Sequence, residues 1–228
     1  MRDDGLQPTF NALPPAVVAL AAVIFVIEVM LAFGTRGYVG GPAAIGWRTE
    51  AIREFAFFGP LLAWMIETGN WTPEHLRRFV TYSFVHQGFA HATFVIVFLL
   101  AMGKLVGEVL GNLAVLVLFF CCGAFGALIF AGLTRDEFPL IGGFPSVYGL
   151  IGAYTFLLWV GYGAAGQNQY RAFTLIGFLL GIQLGFAIIF GGSNDWVADA
   201  AGFALGFVLA PALARGAFRG LLDRMRRR

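Results

Sequence analysis

Residues 142–154 read Gly142-Gly-Phe-Pro-Ser-Val-Tyr148-Gly-Leu-Ile-Gly-Ala-Tyr154, an uncharged stretch that opens on a glycine pair and a proline. Proline is well tolerated in the first turn of a helix, where its missing N–H costs nothing. The stretch therefore predicts a helix starting at Pro145, with Gly149 and Gly152 as its small residues. The apolar run continues to residue 161. At 1.5 Å per residue it covers roughly 25 Å, short of the ~30 Å hydrocarbon core of a bilayer, so it crosses only if it starts below the membrane surface.

The rest of the chain points to the same environment. It is 59% hydrophobic and 12% charged over 228 residues, too few charges to clothe a soluble domain. Long apolar runs place spans at 13–33, 86–107, 110–133, 145–161, 172–190 and 196–214, and the whole of 1–228 reads as one membrane domain. The fold class is an all-α, six-transmembrane-helix bundle. The first run, behind Pro14 and Pro15, is too long for a secretory signal core, and Gly34–Tyr38 is a poor cleavage site, so it reads as a retained helix. Residues 34–80 form a long loop in which Phe55–Ile66 is apolar but too short to cross. That segment reads as half-embedded, with Trp64 and Trp71 at headgroup level.

Charge sets the orientation. With both termini cytoplasmic, that side holds Arg2, Lys104, Arg171 and six arginines between Arg215 and Arg228, nine basic residues in all. The other side holds six, Arg36, Arg48, Arg53, Arg77, Arg78 and Arg135, diluted by Glu50, Glu54, Glu67, Glu74, Asp136 and Glu137. Basic residues beside a span favour the cytoplasm, so 34–80 is expected to be periplasmic and 215–228 a basic cytoplasmic tail against anionic lipid of a bacterial inner membrane. The net charge of +2, with no basic stripe, excludes nucleic acid as a partner.

Glycines recur at intervals of four as Gly177, Gly181 and Gly185 in the fifth span and as Gly202 and Gly206 in the sixth. Such spacing puts small residues on one face and predicts close helix–helix approach, with gating by the fifth helix as the sharper alternative. Cys121 and Cys122 are adjacent within a span, point about 100° apart, and read as buried free thiols. Ionisable groups inside spans are costly and few. Glu28 is expected to snorkel or to pair with an interfacial partner, and Asp199 to pair with a histidine or another donor. His75 reads as solvated. His86 and His91 with Asp199 lack the converging ligand spacing of a metal site, so neither metal nor cofactor is expected.

Three segments together resemble the rhomboid intramembrane serine proteases. They are Thr81-Tyr-Ser-Phe-Val-His86 with His91 and Gly103, Gly142 through Tyr154, and Ala198-Asp-Ala-Ala-Gly202-Phe-Ala-Leu-Gly206, in the family's order over roughly residues 76 to 210. Active members carry Gly-x-Ser-Gly at the start of the fourth helix, Ala-His-x-x-Gly on the sixth and His-x-x-x-Asn on the second. Matching those motifs puts Phe144 at the nucleophile, Pro145 at the glycine after it, Asp199 at the general base and Val95 at the asparagine that helps bind the oxyanion. Only His91 is retained, and Tyr148 stands where the family often packs an aromatic on its catalytic histidine. Ser146, two residues on, lies about 200° round the helix and faces away from the sixth. Loss of a nucleophile or base alone costs on the order of 10⁶ in rate in a serine protease, and a carboxylate is the weaker base for a serine hydroxyl.

The resemblance therefore implies a pseudoprotease fold, not an enzyme. Phe144 would plug the cavity, and Asp199 would meet His91. A lateral opening between the second and fifth helices would admit transmembrane segments of client or partner proteins. The expected role is adaptor, assembly factor or accessory subunit of a membrane complex, with Tyr148, Gly149, Gly177, Gly181, Gly185, Gly202 and Gly206 in binding or close contact. A protease with atypical catalytic groups is the alternative class. A small transporter resting on Glu28 and Asp199 is a third.

Overall fold

The computed structural model describes residues 12–134, 138–190 and 193–214. Arg2, Arg135, Asp136, Glu137 and the tail 215–228 lie outside the described residues. Ten α-helices follow in order: α1 (Pro15–Thr35), α2 (Trp47–Phe55), α3 (Gly59–Thr68), α4 (Pro73–Leu76), α5 (Arg78–Thr81), α6 (Phe89–Leu110), α7 (Asn112–Leu133), α8 (Phe144–Ala164), α9 (Thr174–Phe190) and α10 (Asp195–Ala214). Five of them, α1, α6, α7, α8 and α10, are long and apolar enough to cross a membrane. The fifth apolar run becomes α9, 17 residues long.

Two boundaries differ from the sequence reading. The helix at 145–161 is not short: α8 has 21 residues, because Gly161–Ala164 stay helical beyond the apolar run. At 1.5 Å per residue that is ~32 Å, enough to span without a sunken start. The span at 86–107 begins only at Phe89, since Gly88 is fully extended and Val85–Gln87 lie outside any helix. Gly111 alone joins α6 to α7, at φ 88°, a left-handed conformation that a residue with a Cβ avoids.

The core is a three-helix contact among α7, α8 and α10. A Cβ on Gly202 would collide with the Pro145 carbonyl, one on Gly206 with the Gly149 carbonyl, and one on Gly152 with the Phe203 carbonyl. Gly149 lies on Cys122, and Gly126 lies on Ala198 and Pro145. Lipid tails are as apolar as leucine, so helix association in a membrane rests on such close approach. The glycines of α9 behave differently. Positions 177, 181 and 185 have nothing within 4 Å of where a Cβ would stand, so the expected intramolecular contact is not made there. Cys122 is buried, but Cys121 is exposed, because its neighbour already occupies the inward face of α7.

The long loop is ordered into α2 to α5, and the Phe55–Ile66 segment breaks in two at Ala56–Phe58. Phe57 is buried and exchanges two backbone hydrogen bonds with Leu140, at 3.2 and 2.8 Å. Those bonds pin the loop to the segment that precedes α8. Trp64 and Trp71 are both exposed, and His75 meets Trp64 edge-on at 5.3 Å.

Glu28 is only 1% exposed and finds its partner in that loop. Arg48, on α2, donates to both carboxylate oxygens, at 2.7 and 3.1 Å, and to the His86 carbonyl at 2.7 Å. One guanidinium thus joins α1, α2 and the approach to α6. Breaking a buried pair by removing one partner costs about 3–5 kcal/mol, because the remaining charge is stranded. Arg48→Ala is expected to lower stability in mild detergent by about that much, whereas Glu28→Met with Arg48→Met recovers most of it. Thermal or chemical unfolding followed by circular dichroism measures both.

Candidate functional site

Four aromatic side chains line up at the start of α8. The His86 ring meets His91 edge-on at 5.1 Å, His91 stacks on Phe144 at 5.3 Å and 17°, and Phe144 meets Tyr148 at 6.4 Å. Phe144 therefore occupies the space between the retained histidine and the rest of α8. Pro145 holds the first turn, as expected for its type. Gly142 permits the arrangement twice over. Its φ of 94° is left-handed, and a Cβ there would lie 2.6 Å from the His91 ring.

Val95 is fully buried and lies against Gly143, whose N–H is taken by His86 Nε2 at 3.3 Å. The segment before α6 thus caps the first turn of α8 through a histidine outside the spans. Burial first, then the neighbouring His91 and Arg48, push His86 down to about 3, so the ring is neutral and keeps a free electron pair for Gly143. Tyr82, also buried, donates to the Gly123 carbonyl at 2.7 Å, and burial raises its phenol well above the usual range.

Asp199 does not pair with His91. It is buried on α10, and Oδ2 accepts from Gln183 Nε2 at 2.8 Å. Gln183 Oε1 in turn lies 3.4 Å from the Tyr148 hydroxyl, a long hydrogen bond. The reason for the correction is steric: the Phe144 ring covers His91, and Gln183 projects from α9 into the gap. Gln183 was the residue the sequence reading passed over, although a polar amide within an apolar helix carries the same signal as a buried charge. Asp199 Oδ1 is buried without a hydrogen-bond partner among the described residues.

Ser146 is fully buried and faces α7 and the segment before α6, away from α10. Its Oγ is 3.4 Å from Ser83 Oγ and presses on Gly123. No base touches it among the described residues. No cluster of three or more His, Cys, Asp or Glu able to hold a metal occurs there either.

Two measurements follow. Gln183→Leu and Asp199→Ala are expected to be non-additive in stability by about 0.5–3 kcal/mol, while His91→Ala and Asp199→Ala add. For His86, whose folded value lies below the unfolded ~6.5, the unfolded chain binds the extra proton. Stability is full above pH ~6.5 and falls as pH drops towards 3, by up to ~1.4 kcal/mol per unit. Unfolding between pH 7 and 5 should show that slope in the parent and a flatter one in His86→Gln.

Comparison with known proteins agrees with the fold. No curated protein matches the chain. A family model for the rhomboid domain matches residues 73–216, well over half of the chain, from α4 to the end of α10. The match takes in the α7–α8–α10 core, the aromatic row and the Asp199–Gln183 contact together. With five apolar helices of spanning length, this integral membrane protein belongs to the rhomboid family.

Proposed function

We propose that this chain is a non-proteolytic rhomboid-like protein that binds transmembrane segments of partner membrane proteins, as adaptor, assembly factor or accessory subunit. The carrying observation is the glycine face of α9. Gly202 and Gly206 press on neighbouring backbone, but Gly177, Gly181 and Gly185 meet no part of this chain. A row of small residues at intervals of four gives a helix from another chain room for close backbone approach. On this reading α9 is a sixth span, both termini are cytoplasmic in a bacterial inner membrane, and the guest docks from the lipid.

Inactivity is part of the same proposal. Its support is the stacking of Phe144 on His91, the engagement of Asp199 with Gln183, the burial of Ser146 against Ser83 and the apolar Val95 beside Gly143. Hydrolysis by the family's route needs a nucleophile beside a base and a donor for the oxyanion. Here the residues at those positions are engaged in packing and in one hydrogen bond to an amide.

The test combines capture and labelling. A photo-crosslinking residue at Gly181, in native membranes, is expected to trap a discrete partner. Gly181→Leu should cut recovery of that partner at least tenfold while helicity and melting stay at parental values, because open space surrounds the position. Loss of folding in Gly181→Leu, or capture that is unchanged by it, removes the proposed surface. A fluorophosphonate probe is expected to leave the protein unlabelled. Labelling that disappears in Ser146→Ala would establish a hydrolase instead.

A further inference from the structure

On the flank away from α9 a groove of about 480 Å³ opens between α1 and α2. Val23, Ile27 and Met30 of α1 form one wall, Ala51 and Phe55 of α2 the roof, and Val85 the back. The lining residues of α1 run from Val23 to Leu31, which is ~12 Å along the helix axis. The groove therefore descends from near the C-terminal end of α1 through most of one ~15 Å half of a hydrocarbon core. Val23 and Met30 are about half exposed, so its side is open to the bilayer, not to a neighbouring helix.

The mouth carries charge. Arg77 places its guanidinium 5.2 Å over the ring of Phe55, the residue at the top of the groove, and pairs with Glu54. Arg53 pairs with Glu50 beside it, at 2.8 Å. Arg78 has no carboxylate partner of its own, since its NH1 donates to the Arg53 and Ala56 carbonyls. Three guanidiniums thus face two carboxylates at the water-side end of an apolar slot. A slot inside the hydrocarbon region capped by a surplus positive charge has the polarity of one lipid, tail inwards and phosphate outwards.

We propose that the groove is a specific site for one phospholipid, with an acyl chain between α1 and α2 and its phosphate at Arg77. The chain fills a slot that would otherwise leave apolar walls without contacts. Arg77 supplies planar N–H donors suited to phosphate oxygens. The site shares its walls with the Glu28–Arg48 clamp, so a bound lipid wedges α2 onto α1 and steadies the loop that reaches Leu140.

The probe is phosphatidylglycerol spin-labelled on its acyl chain, added to the full chain in phosphatidylcholine nanodiscs. The parent protein is expected to show one motionally restricted lipid that added phosphatidylglycerol competes away. Ile27→Trp should abolish it. Val23→Trp fills the groove from the exposed side of α1 and should do the same, so misfolding of one variant leaves the other decisive. Arg77→Gln should weaken competition by phosphatidylglycerol about fivefold, as expected for loss of one cation near anionic lipid. A control substitution on the outer face of α7, Leu128→Trp, should leave the restricted lipid unchanged. Retention of that lipid in both tryptophan variants overturns the site. Equal competition by a neutral diacylglycerol, or no effect of Arg77→Gln, overturns the phosphate assignment.

Discussion

The structure depends on the close approach of α8 and α10, where Gly202 meets the Pro145 carbonyl and Gly206 meets the Gly149 carbonyl. In water a helix pair is driven together by burying apolar surface. In lipid that drive is absent, and what remains is dispersion and shape at short range. Backbone-to-backbone contact maximises both, and only glycine allows it at these positions. Because Pro145 and Asp199 sit within this contact, the first turn of α8 and the polar residue of α10 are placed by it. The aromatic row and the Gln183–Asp199 bond are built on that placement.

The same constraint explains what the sequence makes legible. Glycines at intervals of four predict a face that admits close approach, and on α8 and α10 that face is filled within the chain. On α9 the pattern is identical and the neighbour is missing. Spacing specifies a face of one helix; which element covers it is a property of the whole arrangement. The partner of Glu28 is a further case. An interfacial partner was predictable from the cost of a carboxylate in a span. That it is Arg48, twenty residues on in a loop with little hydrophobic pattern, follows only from how α2 folds back over α1.

Asp199 shows the converse. A buried carboxyl needs a donor, and the histidines were the obvious supply. Gln183 took that place because it lies on the helix next to α10, whereas His91 is screened by an aromatic ring. The loop 34–80 was legible as ordered at an interface but not as four helices, since segments of four to ten residues carry too few turns for periodicity to speak. Helix ends were off by a few residues in both directions, as at Ala164 and Phe89, because hydropathy marks where lipid begins and not where hydrogen bonding stops.

These contacts bear on the balance between rigidity and opening. α7, α8 and α10 are held by backbone contact that cannot loosen without losing most of its energy at once, since dispersion falls steeply with distance. α9 presents no such contact through its glycines, and the polar bond that ties it to α10 runs from Gln183 to Asp199. A single amide–carboxyl bond in a membrane averages well under 2 kcal/mol. Opening of α9 alone is therefore the low-cost motion of this fold, whereas any motion of α8 against α10 is not. A partner helix that offers close contact to Gly177, Gly181 and Gly185 gains more than the one bond it must outcompete. The α9 face is thus the place where this rhomboid fold can bind without rearranging its core.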